Sequence, residues 1–127
     1  MDFLIDTHVL LWYLEGSASL PGKIRTHINK SENNIFISIG SFWELAIKFS
    51  SGKLTAKYTL SEIKEDVLKR EFEVLNISFE HLETLMTLPK LHGDPFDRLI
   101  ISQAITQGLV ILSADGQLKG YPVKVIW

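Results

Sequence analysis

The stretch DFLIDTHVLLWYL, residues 2–14, changes its hydrophobic pattern part-way along. Its first four residues, DFLI, form a short, mostly apolar run that is typical of a buried strand, and from Asp6 onward the apolar residues follow helical spacing. Asp6 or Thr7 is placed to cap that helix, because either side chain can accept a hydrogen bond from the unpaired amides of the first turn. A strand that runs directly into a helix indicates an α/β fold.

The same alternation of strands and helices continues along the chain. It predicts βαβ units and a mainly parallel sheet of about five strands, covered by helices on both faces. The final connection, ADGQLKGYP, is shorter than a usual crossover, so on the residues alone a hairpin that begins at Asp115 stays an alternative for the last strand. The later predicted strands are IFIS (35–38), EVLNI (73–77), LVILS (109–113) and VKVIW (123–127), and the predicted helices include LSEIKEDVLKRE (60–71) and SFEHLETLMTL (78–88).

Composition limits the class of protein. A chain of 127 residues with 46% hydrophobic residues is expected to form one domain, residues 1–127, with its own core. Its apolar runs are too short to span a membrane and its first residues lack the features of a secretory signal, so we expect a cytoplasmic protein. The formal net charge of −2 gives no general basic field, so a nucleic-acid substrate would need a local basic patch or a metal bridge.

The same composition restricts metal chemistry. The chain has no cysteine, so a metal site must use oxygen or imidazole ligands. The four histidines are scattered and form no H-x-x-x-H pair of the kind that binds zinc. For His92, which precedes Gly93 and Asp94, we expect a local hydrogen bond in a loop in preference to a contact with substrate.

The segment HGDPFDRL, residues 92–99, predicts the beginning of a helix. Proline has no amide hydrogen and is tolerated at the first helical position, so Pro95 fits that position and Asp94 fits the N-cap. Asp97 then falls in the first turn, near the positive end of the helix dipole. Helix capping, at about 1 kcal/mol per cap, is a sufficient explanation for each acid taken alone.

Four acids fall where predicted strands end or helices begin: Asp6, Glu44, Asp97 and Asp115. Glu44 has a local interpretation, because it can close an S-x-x-E capping box with Ser41, and Asp115 can begin an Asp-Gly turn. In a parallel sheet, however, the carboxyl ends of the strands share one edge. Two carboxylates ~5 Å apart repel by about 3 kcal/mol at an effective dielectric constant near 20, which exceeds one cap. Acids gathered at that edge would therefore indicate a bound divalent cation.

Five segments of the chain carry a family resemblance. They are FLIDTHVLLWYL (3–14), SIGSFWELAIK (38–48), SGKL (51–54), HGDPFDRLIISQA (92–104) and LVILSADGQLKGYPVKVIW (109–127). In their order and spacing they resemble PIN-domain proteins, and most closely the VapC-like toxins of bacterial toxin-antitoxin pairs. The resemblance implies a three-layer α/β/α sandwich around a parallel sheet, with a parallel last strand.

The resemblance also implies a reaction. By position, the metal-binding and catalytic acids of the family correspond to Asp6, Glu44, Asp97 and Asp115, with Asp94 as an additional acid of this subgroup. The implied activity is a Mg²⁺- or Mn²⁺-dependent endoribonuclease that leaves a 5′-phosphate and a 3′-hydroxyl. In it the first three acids hold the metal, and Asp115 completes a second position or orients the attacking water.

Four further side chains are candidates for contacting the substrate or orienting the acids: Thr7, Ser113, Arg98 and Lys48. Ser113 stands where the family has threonine or serine two residues before its last acid. Arg98 and Lys48 follow an acid by one and by four positions on the same predicted helix. Each of these two cations either reaches a substrate phosphate or pairs with a carboxylate.

Partners follow from the same resemblance. A VapC-like toxin is neutralised by a cognate antitoxin and usually forms a homodimer. The segment SFWELAIKF, residues 41–49, and the amphipathic stretch 60–71 are candidate binding sites for an apolar helix or strand of a partner. Trp43 and Phe49, however, are residue types that more often belong simply to a hydrophobic core.

Three other classes of protein share an alternating pattern of strands and helices: receiver domains, phosphatases and non-catalytic binding modules. A receiver domain needs a phosphoacceptor aspartate at the end of a middle strand, whereas IFIS and EVLNIS end in serine. A phosphatase that forms a phosphoaspartate needs D-x-D after its first strand, and this chain has Asp6-Thr7-His8. The alternative that stays open is a non-catalytic RNA- or protein-binding module on the same fold, because a fold does not fix activity.

Overall fold

The structure is a computed structural model that describes residues 1–54 and 57–127. Within this part of the chain, strands and helices alternate as the sequence predicts, and no helix is long and apolar enough to cross a membrane. In chain order the elements are β1 (Asp2–Ile5), α1 (Thr7–Glu15), α2 (Gly22–Asn29), β2 (Asn34–Ser38), α3 (Ile39–Ser50), α4 (Leu60–Lys69), β3 (Glu73–Leu75), α5 (Phe79–Thr87), α6 (Pro95–Gln107), β4 (Val110–Leu112), a 3₁₀ helix (Gly116–Leu118) and β5 (Val125–Ile126).

The five strands form one parallel sheet in the order β3-β2-β1-β4-β5. Strand β1 lies at the centre, with Ile5 beside Ile37 of β2 and Leu112 of β4. Strand β5 runs parallel to β4, which confirms the direction that the family resemblance implies. The alternative of a hairpin at Asp115 is wrong, because this residue caps the 3₁₀ helix and the chain then returns to add a parallel strand.

Helices pack on both faces of the sheet, which confirms the three-layer α/β/α fold. On one face, Phe3 and Ile5 of β1 belong to a core that α1, α2, α3 and α4 complete. On the other face, Leu4 packs in a core with Ile100 and Ile101 of α6. Phe3, Leu4 and Ile5 are fully buried, as expected of a strand that is covered on both sides. Burial of each side chain of this size contributes roughly 1.5–3 kcal/mol to the free energy of unfolding.

Helix α3 begins directly at the end of β2, without a loop. Ser38, the last residue of the strand, is the N-cap, and its hydroxyl accepts a hydrogen bond from the amide of Gly40 at 3.0 Å. The predicted capping box of Ser41 with Glu44 is therefore wrong, because the strand reaches a capping hydroxyl before Ser41. Glu44 lies in the second turn of the helix, and among the described residues the buried Ser41 hydroxyl has no hydrogen-bond partner.

Close packing of α3 against α6 depends on a glycine. A Cβ added at Gly40 would lie 2.5 Å from Cδ2 of Leu99, which is too short for ordinary contact. The missing side chain lets the beginning of α3 approach α6, and these two helices carry Glu44 and Asp97 respectively.

Candidate active site

Asp6 lies at the carboxyl end of the central strand β1 and is the N-cap of α1. One carboxylate oxygen, Oδ1, accepts a hydrogen bond from the amide of Val9 at 2.9 Å, and the other accepts one from the hydroxyl of Ser113. Only 7% of Asp6 is exposed. Burial raises the pKa of Asp6 above its ordinary value, whereas the hydrogen bonds from Ser113 and Val9 oppose this shift. The cap prediction is confirmed, and one oxygen has a partner that capping does not require.

Ser113 connects two of the predicted acids. Its buried hydroxyl donates to Asp6 and accepts a hydrogen bond from the amide of Asp115 at 3.0 Å. Asp115 in turn uses Oδ1 to accept from the amide of Gln117 at 2.9 Å, which caps the 3₁₀ helix. Ser113 therefore contacts two acids that follow neighbouring strands, Asp6 after β1 and Asp115 after β4.

The beginning of α6 matches the prediction from HGDPFDRL. Oδ1 of Asp94 accepts from the amides of Phe96 and Asp97 at 2.9 and 3.1 Å, and Pro95 occupies the first turn. Asp97 therefore does not have to cap the helix itself. Its Oδ2 lies 3.0 Å from Nε2 of His92.

Burial and the neighbouring carboxylates raise the pKa of Asp97. Partial burial is the largest cause, the charge of Asp94 is the next, and Asp6 and Asp115 add to the shift, while His92 opposes it. Together they raise the pKa of Asp97 to about 6. The structure thus brings together four of the five acids singled out in the sequence, although Asp6 and Asp115 are far along the chain from the pair in α6.

The fifth acid, Glu44, approaches the group through Thr7. The hydroxyl of Thr7 donates to Oε1 of Glu44 at 2.6 Å, and Thr7 follows Asp6 in the chain. Oε2 of Glu44 lies 3.1 Å from the ammonium group of Lys48. Glu44 is 7% exposed, so this carboxylate is buried with both oxygens engaged. Of the two uses predicted for Lys48, pairing with a carboxylate is the one observed.

Arg98 turns away from the carboxylates. Its Nη1 donates to the backbone oxygen of Pro89 at 2.9 Å and to the hydroxyl of Tyr121 at 3.3 Å. Among residues 1–54 and 57–127, no acid forms an ion pair with Arg98. The side chain lines a surface cavity of about 310 Å³ next to the acids, and the other lining residues are Lys90, Leu91, His92 and Gly93.

His92 is the residue that sequence reasoning undervalued. The expected local hydrogen bond exists, since Nδ1 accepts from the amide of Asp94 at 3.2 Å. In addition, Nε2 lies 3.0 Å from Oδ2 of both Asp97 and Asp115. Its position two residues before the helix cap was the available signal, but nothing local reveals the contact with Asp115, which is 23 positions away.

The profile described as the PIN domain matches residues 3–124. The chain belongs to the PIN domain family. A search of curated proteins finds no match to this sequence.

Solved structures similar to this PIN domain include a toxin-antitoxin complex from Klebsiella pneumoniae, which is 16% identical with a TM-score of 0.66, over 98% of this chain and 95% of that chain. VapBC2 from Rickettsia felis, bound to a DNA fragment from its promoter, is 19% identical with a TM-score of 0.75, over 99% of this chain and 98% of that chain. FitAcB from Neisseria gonorrhoeae is 15% identical with a TM-score of 0.66, over 98% and 96%. At these identities the likeness shows the fold alone.

The side chains at this edge of the PIN domain fit a divalent cation. Ligand atoms of His92, Asp97 and Asp115 lie within 4.8 Å of one another. Gathered carboxylates repel one another, and a cation relieves that repulsion. Carboxylate oxygens are the ligands that Mg²⁺ and Mn²⁺ prefer. The carboxylates of this group are therefore suited to a hard metal ion. Asp6 lies near enough to raise the pKa of Asp97, whereas Glu44 is connected to this edge through its hydrogen bond from Thr7.

Proposed function

We propose that this PIN domain, residues 1–127 acting as one unit, is a metal-dependent endoribonuclease and the toxin of a toxin-antitoxin pair. The observation that carries the proposal is the gathering of Asp6, Asp94, Asp97 and Asp115, where partial burial and then the charges of the neighbouring acids raise the pKa of Asp97 to about 6. Membership of the PIN family and the fold shared with toxin-antitoxin complexes support the reaction class. A cytoplasmic location stays a prediction of the sequence.

The acids have separate roles in this proposal. Asp6, Glu44 and Asp97 hold a Mg²⁺ or Mn²⁺ ion, directly or through water, and Asp115 completes a second position or orients the attacking water. When bound, such an ion supplies a nucleophilic water at neutral pH and positive charge against the scissile phosphate. Hydrolysis then leaves a 5′-phosphate and a 3′-hydroxyl, without participation of the 2′-hydroxyl of RNA.

Neighbouring side chains fix the acids before substrate binds. Thr7 and Lys48 each engage one oxygen of Glu44, and Ser113 donates to Asp6. Carboxylates held in this way need little rearrangement when a ligand arrives, which is the usual advantage of a prepared site.

Positive charge beside the acids is available for the RNA backbone. Arg98 and Lys90 line the cavity of about 310 Å³ that also borders His92. The guanidinium of Arg98 keeps donors beyond the two contacts made by Nη1, and its planar fork suits a phosphate. We assign this cavity to a phosphate of the substrate next to the scissile bond.

The decisive experiment is cleavage of structured and unstructured RNA by purified protein. Cleavage is expected with Mg²⁺ or Mn²⁺, and it should be lost with EDTA and in Asp6→Asn. A matched control is Asp2→Asn, which changes an exposed aspartate at the opposite end of the same strand, where it accepts a hydrogen bond from Asn34. Equal cleavage in all conditions would contradict the proposal, as would a 2′,3′-cyclic phosphate product.

A cognate antitoxin and a homodimer belong to the same proposal. Helix α3 exposes Ile39, Trp43 and Ile47 along one side, and Leu68 of α4 is 52% exposed. A groove of about 450 Å³ lies between these helices, and it is lined by Ile39, Phe42, Leu60, Ser61, Lys64, Leu68 and Val74. Exposed apolar surface of this kind marks protein interaction sites, and an apolar helix or strand of an antitoxin fits the groove.

The partner proposal has its own test. Expression of the protein in bacteria should arrest growth, and coexpression of the cognate antitoxin should restore it. Leu68→Glu should weaken that rescue, because it places a charge in the groove, whereas Asp6→Asn should remove the arrest altogether. Unchanged rescue of Leu68→Glu would exclude this groove, and sedimentation of the purified protein measures the dimer directly.

A further inference from the structure

We infer that His92 is a positioning residue, which donates from Nε2 to the carboxylates of both Asp97 and Asp115 and so fixes their spacing for cation binding. The inference rests on the proposed function, because it concerns the same acids. It assigns to a loop histidine a role that capping and local hydrogen bonding do not supply.

The hydrogen atom on the ring can be placed by its neighbours. The backbone N–H of Asp94 points to Nδ1 of His92 at 3.2 Å, and an N–H group can only donate a hydrogen bond. Nδ1 therefore presents its lone pair, and a neutral imidazole carries its hydrogen on Nε2. That hydrogen faces two acceptors, Oδ2 of Asp97 and Oδ2 of Asp115, each 3.0 Å from Nε2.

The same geometry argues against His92 as a metal ligand. A ligating nitrogen must offer a lone pair, so the hydrogen would have to move from Nε2 to Nδ1. It would then meet the amide hydrogen of Asp94, and two donors would face each other. His92 therefore acts on the cation through the two carboxylates.

Tyr121 holds the loop that carries His92 in place, as a positioning residue requires. The hydroxyl of Tyr121 accepts from the amides of Leu91 and His92 at 3.2 and 2.8 Å. Tyr121 is itself 5% exposed and packs in the core with α6. The loop before α6 is thus attached to the segment between β4 and β5, and the imidazole has little freedom to move.

The two carboxylates need such a donor because they come from separate segments. Asp97 lies in the first turn of α6, and Asp115 precedes the 3₁₀ helix. Two carboxylates that accept from the same nitrogen atom repel each other, and an N–H shared between them offsets part of that repulsion. Partners that orient metal ligands typically change metal affinity by 10–100-fold when they are removed.

The first test measures the ring itself in the metal-free protein. Nitrogen-15 spectra of the imidazoles, assigned by comparison with His92→Gln, show which nitrogen carries hydrogen. We expect Nε2–H with an unprotonated Nδ1 at His92. A hydrogen on Nδ1 would overturn the inference whether or not the protein is a nuclease.

The second test measures Mn²⁺ binding by electron paramagnetic resonance, without RNA. His92→Phe removes the donor and should weaken Mn²⁺ binding by about 10–100-fold, whereas the amide of His92→Gln should retain most of the affinity. Tyr121→Phe, which loses the acceptor behind the loop, should weaken binding less than His92→Phe does. Equal Mn²⁺ affinity of wild type and His92→Phe, with both folded by circular dichroism, would overturn the inference.

A matched control exists elsewhere in the chain. His81 also accepts a backbone amide at Nδ1 and contacts a side-chain oxygen with Nε2, but its partner is the neutral amide of Gln107. His81→Gln should leave Mn²⁺ affinity unchanged.

Spectroscopy separates positioning from ligation. Pulsed spectra of bound Mn²⁺ should contain no coupling to a directly bonded imidazole nitrogen that disappears in His92→Gln, and such a coupling would overturn the inference. If wild type neither binds Mn²⁺ nor cleaves RNA, the proposed function fails and the role of His92 fails with it. If wild type binds Mn²⁺ and His92→Phe binds equally well, only the role of His92 fails.

Discussion

Helices α5 and α6 begin in nearly the same way but with different charge. At α5, Ser78 and His81 form a capping box. The Ser78 hydroxyl accepts a hydrogen bond from the backbone amide of His81 at 3.2 Å, and Nδ1 of His81 accepts one from the backbone amide of Ser78 at 3.0 Å. At α6, Asp94 caps the first turn and Nδ1 of His92 accepts its amide. At the first-turn position that His81 occupies in α5, the second arrangement has an acid, Asp97, whose pKa rises to about 6.

The comparison shows that capping explains Asp94 and does not explain the charge of Asp97. Neutral side chains satisfy the amides at the beginning of α5, so a helix start does not need gathered acids. At α6, the carboxylate of Asp94 accepts hydrogen bonds from the backbone amides of both Phe96 and Asp97. The charge of Asp97 is therefore surplus to the helix and, with Asp94, Asp6 and Asp115 nearby, unfavourable to folding. A function that uses negative charge accounts for its presence.

The largest expected effect comes from removing that surplus charge. Asp97→Asn keeps the size of the side chain but removes a proposed cation ligand. Metal ions contribute several kcal/mol to hydrolysis at such sites, so RNA cleavage should fall on the order of 100-fold or more. Cleavage of RNA with Mg²⁺ measures it.

His81, which occupies in α5 the position that Asp97 occupies in α6, provides the control. His81→Gln should lower stability and leave cleavage per folded molecule unchanged, since its contacts are neutral and structural. If Asp97→Asn cleaves RNA as well as wild type does, the difference between the two helix starts has no catalytic meaning.

Local patterns in the sequence predicted the α6 start, and long-range contacts set the limits of that reasoning. Asp94, Pro95 and Asp97 were placed correctly because capping depends on a few adjacent residues. The box of Ser41 with Glu44 failed although its motif was correct, because β2 enters α3 without a loop and Ser38 caps first.

The candidate site was predictable in its acids and not in its connections. Strand ends share one edge of a parallel sheet, which is why acids distant in the chain were expected to meet. The contacts of Ser113 with Asp6 and of His92 with Asp115 join residues 107 and 23 positions apart. No periodicity or spacing in one sequence specifies such pairs.

The second effect is on stability and has a defined pH range. The folded state raises the pKa of Asp97 from 3.8 to about 6, so the folded protein holds this proton more tightly than the unfolded chain does. This contribution to stability is fully present below about pH 4 and is lost as the pH rises through about 6. In EDTA at pH 7.5, Asp97→Asn should therefore be more stable than wild type, by a few degrees in melting temperature.

Urea unfolding at pH 7.5 and 5.5 measures this difference, which should shrink at the lower pH. The matched control is Glu80, the acid in the first turn of α5. Glu80→Gln should slightly lower stability, by a few tenths of a kcal/mol, because an isolated acid favours the helix dipole. Opposite signs for the two variants would sharpen the comparison, and equal signs would contradict the claim that Asp97 is surplus to its helix.

The smallest effect distinguishes the two caps. Ser78→Ala removes a neutral cap and should cost about 1 kcal/mol of unfolding free energy. Asp94→Ala removes a cap of the same kind but also the charge that raises the pKa of Asp97, so in metal-free protein it should cost less. Asp94→Asn keeps the accepting oxygen and removes only the charge, and it should match or exceed wild type. A larger loss for Asp94→Asn than for Ser78→Ala would mean that Asp94 stabilises the fold through its charge, and the acids of α6 would then be structural after all.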